Sequence, residues 1–471
     1  MAIHAEERFL ADVGRRGERG KGRGERGEKR KVAVIGSGPA GLSCAYHLAL
    51  KGHSVTVFEA LPVAGGMMRV GIPDYRLPKD VLDKEIKAIE GLGVEIRTNM
   101  KLGDNLKISD LEDYDAVFIA VGLQKSRKLN IPGEDADGVI PGLDFLKRVN
   151  LGEEVEIGQK VAIIGGGNTA IDAARTCLRL GAEPIILYRR TRAEMPAIES
   201  EVEEAISEGV KMDFLTSPTS VLVENGRVSG LECIRMRLGE PDESGRPRPI
   251  PIEGSEFKIK VDTVITAIGQ EADLSFLGSE ERMIEVERGR IFINEAGATT
   301  KPGFFAGGDV ATPFGTVAEA IGSGKRAAIA IDKYLRGEEL SGFPPLDRPV
   351  RAFPKEVDPT VVSFDDLNPA YFEEIERMKI PQIPSEERVR TFSEVNLGFS
   401  EEEAIVEAER CFSCGTCNLC DTCLIFCSDV AIARVDEKGY EVNYDYCKGC
   451  GVCAEECPRY AISTIEEKRV S

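Results

Sequence analysis

The sequence predicts an α/β protein: two parallel-sheet nucleotide-binding units, then a small α+β module. Three observations predict it. A buried strand, a Gly-x-Gly turn, a helix and a second strand occur in that order twice, starting at Val32 and at Val161. Apolar strands that run into glycine recur at Tyr114–Gly122, Val261–Gly269 and Gly303–Gly308. Ten of the thirteen cysteines lie between Cys411 and Cys457 at repeated short spacings. Strands alternating with helices and Gly-x-Gly turns are the pattern of Rossmann-like sheets.

The first unit is VAVIGSGPAGLSCAYHLALKGHSVTVFE, Val32 to Glu59. Gly36 allows the tight turn, Gly38 lets the backbone approach a pyrophosphate, and Gly41 lets helix and strand pack closely. The helix N-terminus turns its partial positive charge toward the phosphates. Glu59 ends the second strand, where a carboxylate accepts hydrogen bonds from a ribose. A glycine-rich turn alone says little; with strand, helix and acid in register it reads as a dinucleotide site.

Length and composition bound the rest. A chain of 471 residues suggests about three domains, and 42% hydrophobic content is ample for packed cores. A formal charge of −20 argues against nucleic acid as the main partner. No run approaches the roughly 18 apolar residues that span a bilayer. No apolar segment follows the N-terminal charges, so a secretory signal is not expected. Residues 1–30 read as a disordered polar tail, apart from a short candidate helix around Ala5–Val13. The tract GRRGERGKGRGERGEKRK has too few apolar residues to pack.

Ala64–Pro78, AGGMMRVGIPDYRLP, reads as an ordered loop, and Tyr114–Gly122 as a buried strand ending at Gly122. The second unit, from Val161, repeats the turn with Gly165 and Gly167, followed by Asn168, Thr169 and the small Ala170. Its second strand ends in Arg189 and Arg190 rather than an acid. Two arginines at a strand end are often merely solvated. With the acid missing they suit a 2′-phosphate, which favours NADP over NAD. Asn225-Gly226 signals a hairpin turn. The segment GFFAGGDV, Gly303–Val310, then returns to the first unit. Gly308 and Asp309 read as a turn that offers an aspartate to a ribityl chain, with a small-residue helix starting at Thr316 and Val317 behind it.

This order resembles the flavoproteins with two dinucleotide-binding domains, in which the NADP domain is inserted into the FAD domain. It is most similar to the NADPH-dependent glutamate synthase small subunit family. The residues that carry the resemblance are GSGPAG (Gly36, Ser37, Gly38, Pro39, Ala40, Gly41), Glu59, AGGMMRVGIPDYRLP, GGGNTAIDAA, YRRTRAEMPA and FAGGDV. It covers roughly residues 31 to 340. The resemblance implies FAD on the first unit, formed by 31–125 and 270–340, and NADP(H) on the second, 126–269. It also implies that Gly66 and Met67 lie near the flavin. That family usually carries an N-terminal cysteine-rich helical domain, where this chain shows the polar tail. The glutamine-splitting machinery belongs to a separate large subunit.

Residues 341–399 are proline-rich and read as a docked linker. In 400–471, Ser400 with Glu403 forms a capping box. Two sets then fit C-x₂-C-x₂-C-x₃-C: Cys417, Cys420, Cys423, Cys427 and Cys447, Cys450, Cys453, Cys457. In two-cluster ferredoxins the fourth cysteine of each run crosses to the other cluster. One [4Fe–4S] is therefore expected on Cys417, Cys420, Cys423 and Cys457, the other on Cys447, Cys450, Cys453 and Cys427. Zinc sites use pairs of C-x-x-C rather than interleaved triplets. Such spacings mean metal in a reducing cytoplasm rather than disulfides. This ferredoxin-like module resembles the ferredoxin-type delta subunit of 2-oxoacid:ferredoxin oxidoreductases, with Ser428 where proline is usual. Cys411 and Cys414 are surplus to eight ligands; bridging to a partner's cluster and an alternative register both remain open.

The three histidines are dispersed, and hydride transfer needs no general base, so no catalytic residue is assigned. No C-x-x-C lies in the nucleotide units, which argues against a disulfide-reducing enzyme. The expected function is an NAD(P)H:acceptor oxidoreductase subunit in a hetero-oligomer, passing electrons between NADPH, FAD and two [4Fe–4S] clusters. Its expected partner is an iron–sulfur enzyme such as a 2-oxoacid oxidoreductase. Two alternatives stand beside it: a glutamate synthase small subunit, and a non-catalytic relay with silent nucleotide sites.

Overall fold

The computed structural model describes residues 2–13, 29–242, 245–313, 315–343, 362–435 and 439–465. Most of the glycine–arginine–glutamate tract, and the disorder expected of it, lies outside the described residues. The chain divides into two compact units. One comprises residues 17–346 and 382–396; the other comprises 1–16, 347–381 and 397–471.

In the first unit, a five-stranded parallel sheet holds β1 (Lys31–Ile35), β2 (Ser54–Phe58), β3 (Glu95–Arg97), β4 (Ala116–Ile119) and β18 (Phe304–Ala306). Its order is β18-β4-β1-β2-β3. The middle of β1 is apolar throughout because both faces are covered. Val32 and Val34 pack against Cys44, Ala45 and Leu48 of α2 (Pro39–Leu50) and Ala327, Ala328 and Ile331 of α8 (Val317–Leu335). Ala33 and Ile35 face the other way, toward Phe58, Val117, Ile119 and Ile291. The two helices approach closely because small residues meet: a Cβ at Gly324 would sit 2.1 Å from the Ala40 carbonyl oxygen. Two further helices, α3 (Met67–Val70) and α4 (Lys79–Glu90), follow β2.

The chain leaves this sheet after β4 and returns to it at β18, where Phe304 pairs with Val117. Between them lies a second parallel sheet of β6 (Val139–Pro141), β7 (Lys160–Ile164), β8 (Glu183–Tyr188), β9 (Lys211–Phe214) and β14 (Thr263–Thr266), in the order β6-β14-β7-β8-β9. The second sheet is thus inserted into the first. A short antiparallel ribbon of β5 (Lys125–Ser126) and β15 (Gln270–Glu271) marks where the chain passes out and back. Helices α5 (Gly142–Asn150), α6 (Asn168–Arg179) and α7 (Glu199–Ser207) belong to the inserted sheet. It also carries antiparallel strands β10 (Thr216–Glu224), β11 (Arg227–Pro241), β12 (Pro247–Pro251) and β13 (Phe257–Ile259). The β10–β11 turn is the expected Asn225-Gly226, with both residues at positive φ as a type I′ hairpin requires. A small ribbon, β16 (Val286–Glu287) with β17 (Arg290–Ile291), precedes β18.

In the second unit, α1 (Ile3–Val13) is a packed helix rather than part of a loose tail. Its apolar side, with Ala2, Ala5 and Phe9, meets Phe399 and Ala404 on α10 (Glu401–Glu409), and Met378 and Ile380 join them. The capping box expected at α10 is formed: the Ser400 hydroxyl accepts from Glu403 N at 3.2 Å, and Ser400 N donates to the Glu403 carboxylate at 2.8 Å. The cysteine module contains α11 (Thr422–Ile425), the antiparallel pair β19 (Ile432–Arg434) and β20 (Tyr440–Val442), and α12 (Val452–Glu455). The linker region is shared between the units. Residues 382–396, with the short helix α9 (Ser385–Arg388), belong with the nucleotide unit, whereas 362–381 belong with the cysteine module.

Candidate nucleotide and iron–sulfur sites

The first glycine loop lies at the C-terminal end of β1, where α/β sheets place their ligands. Gly36 has φ +100°, and a Cβ there would sit 2.5 Å from the Ala120 carbonyl oxygen. A Cβ on Gly41 would lie 1.9 Å from the Gly36 carbonyl oxygen, so this glycine is dictated by helix–strand packing. Gly38 differs: nothing lies within 4 Å of its Cβ position. Its backbone therefore faces open space at the start of α2, which has Pro39 at its first turn and the buried Ala40 behind it.

Glu59 is buried at the end of β2. Its carboxylate accepts from Ser37 N at 2.9 Å, from the Ser37 hydroxyl, and from Leu61 N at 2.8 Å. The Ser37 hydroxyl also accepts from Gly65 N at 3.0 Å. Ser37 thus ties the glycine loop, Glu59 and the Gly65-Gly66 turn together, a role that its place in the motif did not reveal. Gly66 has φ +54°, and a Cβ there would meet Gly38 Cα at 2.6 Å. The turn that starts α3 at Met67 therefore lies directly on the dinucleotide loop. Gly122 lies three residues beyond the end of the neighbouring strand β4, at positive φ.

The Gly-Gly-Asp return meets the same place. A Cβ on Gly308 would approach the Ala40 Cβ to 3.0 Å, and Gly308 N donates to the Ser323 hydroxyl at 3.0 Å. The Asp309 carboxylate makes no hydrogen bond among the described residues. Burial raises its pKa, with Arg290 opposing and Glu319 adding to the rise. A half-buried carboxylate without a donor fits a ligand hydroxyl. Thr316 caps α8, accepting from Glu319 N at 3.2 Å, and Val317 beside it is exposed. The open backbone at Gly38 and the free acceptor at Asp309 are what an adenine dinucleotide with a polyol chain needs.

The second loop repeats the first. A Cβ on Gly165 would sit 2.2 Å from the Ala267 carbonyl oxygen, while the Cβ position of Gly167 has only Pro196 at its limit, 4.0 Å away. Asn168 and Thr169 begin α6, and Ala170 is fully buried. The Asn168 carboxamide oxygen accepts from Ile198 N at 2.9 Å, linking this helix start to the segment after Arg189-Arg190. The structure separates those two arginines. Arg189 is exposed and makes no hydrogen bond or ion pair among the described residues. Arg190 is buried, donating to the Pro247 carbonyl at 2.8 Å and to Asp242 at 2.6 Å. Of the pair, Arg189 is the one whose guanidinium is exposed and unengaged among the described residues.

Between the two loops stands an ionic joint that the sequence reading did not find. Arg76 Nη1 contacts both oxygens of Asp172, at 2.9 and 2.7 Å, and Arg76 Nε lies 3.0 Å from Glu201. Arg175 pairs with Glu201, Glu204 and Glu208, and Arg179 also reaches Glu208. The signal was present as arginines at Arg175 and Arg179 and acids at Glu201, Glu204 and Glu208, each set recurring at helical spacing. Nothing in the sequence said that the two faces meet.

The cysteine runs form an internal repeat of structure. Asp421 and Gly451, both at positive φ, start α11 and α12. Ala431 N donates to Cys427 Sγ and Ala461 N to Cys457 Sγ, each at 3.2 Å. The thiols group across the repeat. Burial is the main cause that pushes Cys423 up to about 11, and Cys420, Cys417 and Cys457 are close enough to add to it. Cys447 and Cys450 act likewise on Cys453, and Lys448 feels both Cys450 and Cys427. Cys457 of the second run is thus near Cys423 of the first, and Cys427 of the first run is near Lys448 of the second. Among the described residues, no three His, Cys, Asp or Glu side chains close on one point as they would around a single ion. The fit to clusters rests on the grouping of soft thiol donors, not on a formed cage. Cys44, Cys177 and Cys233 are buried and unreactive; burial raises all three thiols, the latter two to about 12. No described helix is long and apolar enough to cross a membrane.

Comparison with known proteins agrees with this architecture. The family described as "Pyridine nucleotide-disulphide oxidoreductase" matches residues 30–324, and the "4Fe-4S binding domain" matches residues 440–463. The chain is 48% identical over 396 residues to the NADP(+)-dependent formate dehydrogenase subunit beta of Moorella thermoacetica, covering 82% of this chain and 54% of that one. It is 40% identical over 420 residues to the NADPH-Fe(3+) oxidoreductase subunit beta of Geobacter sulfurreducens, covering 82% and 62%. The chain therefore spans between half and two thirds of the length of these relatives. The small chain of Escherichia coli glutamate synthase [NADPH] is 37% identical, covering 65% of this chain and 69% of that one. Among solved structures, the Mycobacterium tuberculosis oxidoreductase FprA shares the fold, with a TM-score of 0.57 at 23% identity over 66% of this chain and 85% of that one. Fold, paired glycine loops and family match converge: this chain belongs to the pyridine nucleotide-disulphide oxidoreductase family and carries a 4Fe-4S binding domain near its C-terminal end.

Proposed function

We propose that the chain is the nicotinamide-coupled electron-exchange subunit of a larger redox enzyme, working in a reducing cytoplasm. One observation carries this reading. A single chain combines two glycine loops open to dinucleotides with two runs of four cysteines at ferredoxin-like spacing. FAD held at the first loop would supply hydride exchange with a nicotinamide at the second, and one-electron exchange with clusters held by the cysteine runs. The protein's part is binding, orientation and tuning. Gly38 and Gly167 keep the backbone bare where pyrophosphates approach a helix start. Ser37 holds Glu59 in place for a ribose, Asp309 offers an acceptor to a polyol chain, and Arg189 offers a cation to a 2′-phosphate.

The partner is an iron–sulfur enzyme, of the 2-oxoacid oxidoreductase kind or one resembling the formate dehydrogenase of the Moorella relative. Both long-matching relatives are named as beta subunits, which favours a hetero-oligomer. A glutamate synthase role is less well supported, because that small chain aligns with only 65% of this one, against 82% for the formate dehydrogenase subunit. Native purification with identification of co-eluting subunits tests the reading, combined with anaerobic NADPH-dependent dye reduction. An iron–sulfur oxidoreductase should co-elute, and NADPH should reduce the dye. Co-elution with a glutaminase-containing subunit would transfer the chain to glutamate synthase. Absence of NADPH-dependent reduction would leave it a relay.

A further inference from the structure

We propose that residues 382–396 form a positioning arm that fixes the second nucleotide unit against the first. The inference rests on the two glycine loops being the FAD and NADPH sites. The stretch from Gly66 to Arg76 starts on the first loop, where Gly66 lies against Gly38. It ends in Tyr75 and Arg76. Helix α6 starts on the second loop and carries Asp172 one turn later. Arg76 clasps Asp172 with two contacts of 2.9 and 2.7 Å, and the Tyr75 hydroxyl donates to the Asp172 carbonyl at 3.1 Å. The Tyr75 ring is wholly buried beneath Arg179 and Arg175, at 3.8 and 4.8 Å from its centre. The joint is thus a direct mechanical link between the two loops.

The arm closes this joint from outside. Val395 N donates to the Tyr75 carbonyl at 2.9 Å, and the Phe392 ring lies 6.4 Å from the Tyr75 ring. The Thr391 carbonyl accepts from Arg179 Nε at 3.0 Å, and the Gln382 carboxamide donates to Glu204 at 2.8 Å. The arm also braces itself. Ile383 N donates to the Val395 carbonyl at 3.1 Å, and the buried Arg388 donates to the Ile383 carbonyl and the Gln382 carboxamide at 2.6 and 2.8 Å. None of these contacts involves either glycine loop. The chain enters the nucleotide unit at Gln382 and leaves it after Asn396, with both flanks belonging to the cysteine-bearing unit.

Physics says why such a cover matters. Charge-assisted bonds strengthen where water is excluded, and an opened joint would exchange them for hydration. Hydride transfer tolerates little displacement, since a shift of about 1 Å costs roughly a hundredfold in rate. An arm that keeps Tyr75, Arg76 and α6 in one arrangement therefore acts on transfer rate without touching either nucleotide.

The test is the double substitution Gln382→Ala with Phe392→Ala in the full chain, read by hydrogen–deuterium exchange and by anaerobic kinetics. The expected result is faster exchange in 72–78 and 168–179, with 31–58 unchanged and bound flavin and iron retained. NADPH-dependent dye reduction should lose roughly tenfold in kcat, with KM for NADPH within about twofold. Phe392→Tyr, which keeps the ring, should restore most of the rate when combined with native Gln382. Unchanged exchange in 72–78 and 168–179 overturns the proposal. So does a uniform rise across the nucleotide unit with loss of flavin, which is a purely structural role. Local loosening with unchanged kcat overturns it as well. If the native chain reduces no dye with NADPH, the functional reading fails by itself, and the exchange pattern still decides whether the arm holds the joint.

Discussion

Coenzyme choice should rest on Arg189 and not on its neighbour. Arg189 is exposed and unengaged among the described residues at the end of β8, so Arg189→Ala removes a cation from the site without disturbing the fold. A charge-assisted contact to a 2′-phosphate is worth about 1.5–3 kcal/mol, hence roughly a ten- to hundredfold loss in NADPH affinity. NADH, lacking that phosphate, should be little affected. Arg190 is different because its guanidinium is nearly buried against Asp242 and the Pro247 carbonyl. Removing it takes a charge-assisted donor from Asp242 and a donor from the Pro247 carbonyl, at about 1–3 kcal/mol. The partial exposure of Asp242 keeps the loss below that of a fully buried pair. Arg190→Ala should therefore lower the unfolding midpoint and weaken both coenzymes alike. Steady-state KM values for NADPH and NADH, paired with urea unfolding of each variant, measure this. Equal effects of Arg189→Ala on both coenzymes would refute the assignment, as would a selectivity change confined to Arg190→Ala.

Three other expectations follow from the same geometry. Burial pushes Asp172 up to about 6 from its ordinary 3.8, against the pull of Arg76. The folded state therefore keeps this proton longer, and this group's contribution to stability falls as pH rises from about 4 to about 6, by about 3 kcal/mol. The stability difference between wild type and Asp172→Asn, from urea unfolding at several pH values, should fall by that amount over this window; a flat difference would mean that Arg76 keeps the carboxylate ionised throughout. Gly66→Ala should reduce flavin retention, measured as the ratio of visible to protein absorbance, because its φ of +54° and 2.6 Å approach to Gly38 admit no Cβ. Gly93→Ala, at φ +91° but with nothing within 4 Å, is the control and should retain flavin. Cys423→Ala should halve the iron content of the anaerobically purified protein while Cys411→Ala leaves it unchanged, and the reverse result would point to a shifted ligand register.

The sequence by itself determined the elements whose chemistry is local. A glycine followed by a helix start must be bare where a phosphate approaches, so the two loops at Gly36 and Gly165 were legible from spacing and flanking strands alone. The iron–sulfur module was legible for the same reason, since a fixed ligand spacing leaves its mark in the chain. The capping box at Ser400 and the turn at Asn225-Gly226 are likewise short-range. Tertiary structure decided everything that depends on which surfaces meet. It separated Arg189 from Arg190, because Asp242 and Pro247 come from a distant hairpin. It made Ser37 the tie between loop and acid, and it joined Tyr75 and Arg76 to α6. It also turned residues 3–13 into a packed helix and divided the expected linker, giving residues 382–396 to the nucleotide unit. Such contacts join residues far apart in the chain, and a buried ion pair looks in sequence like any two solvated charges until the fold removes the water between them.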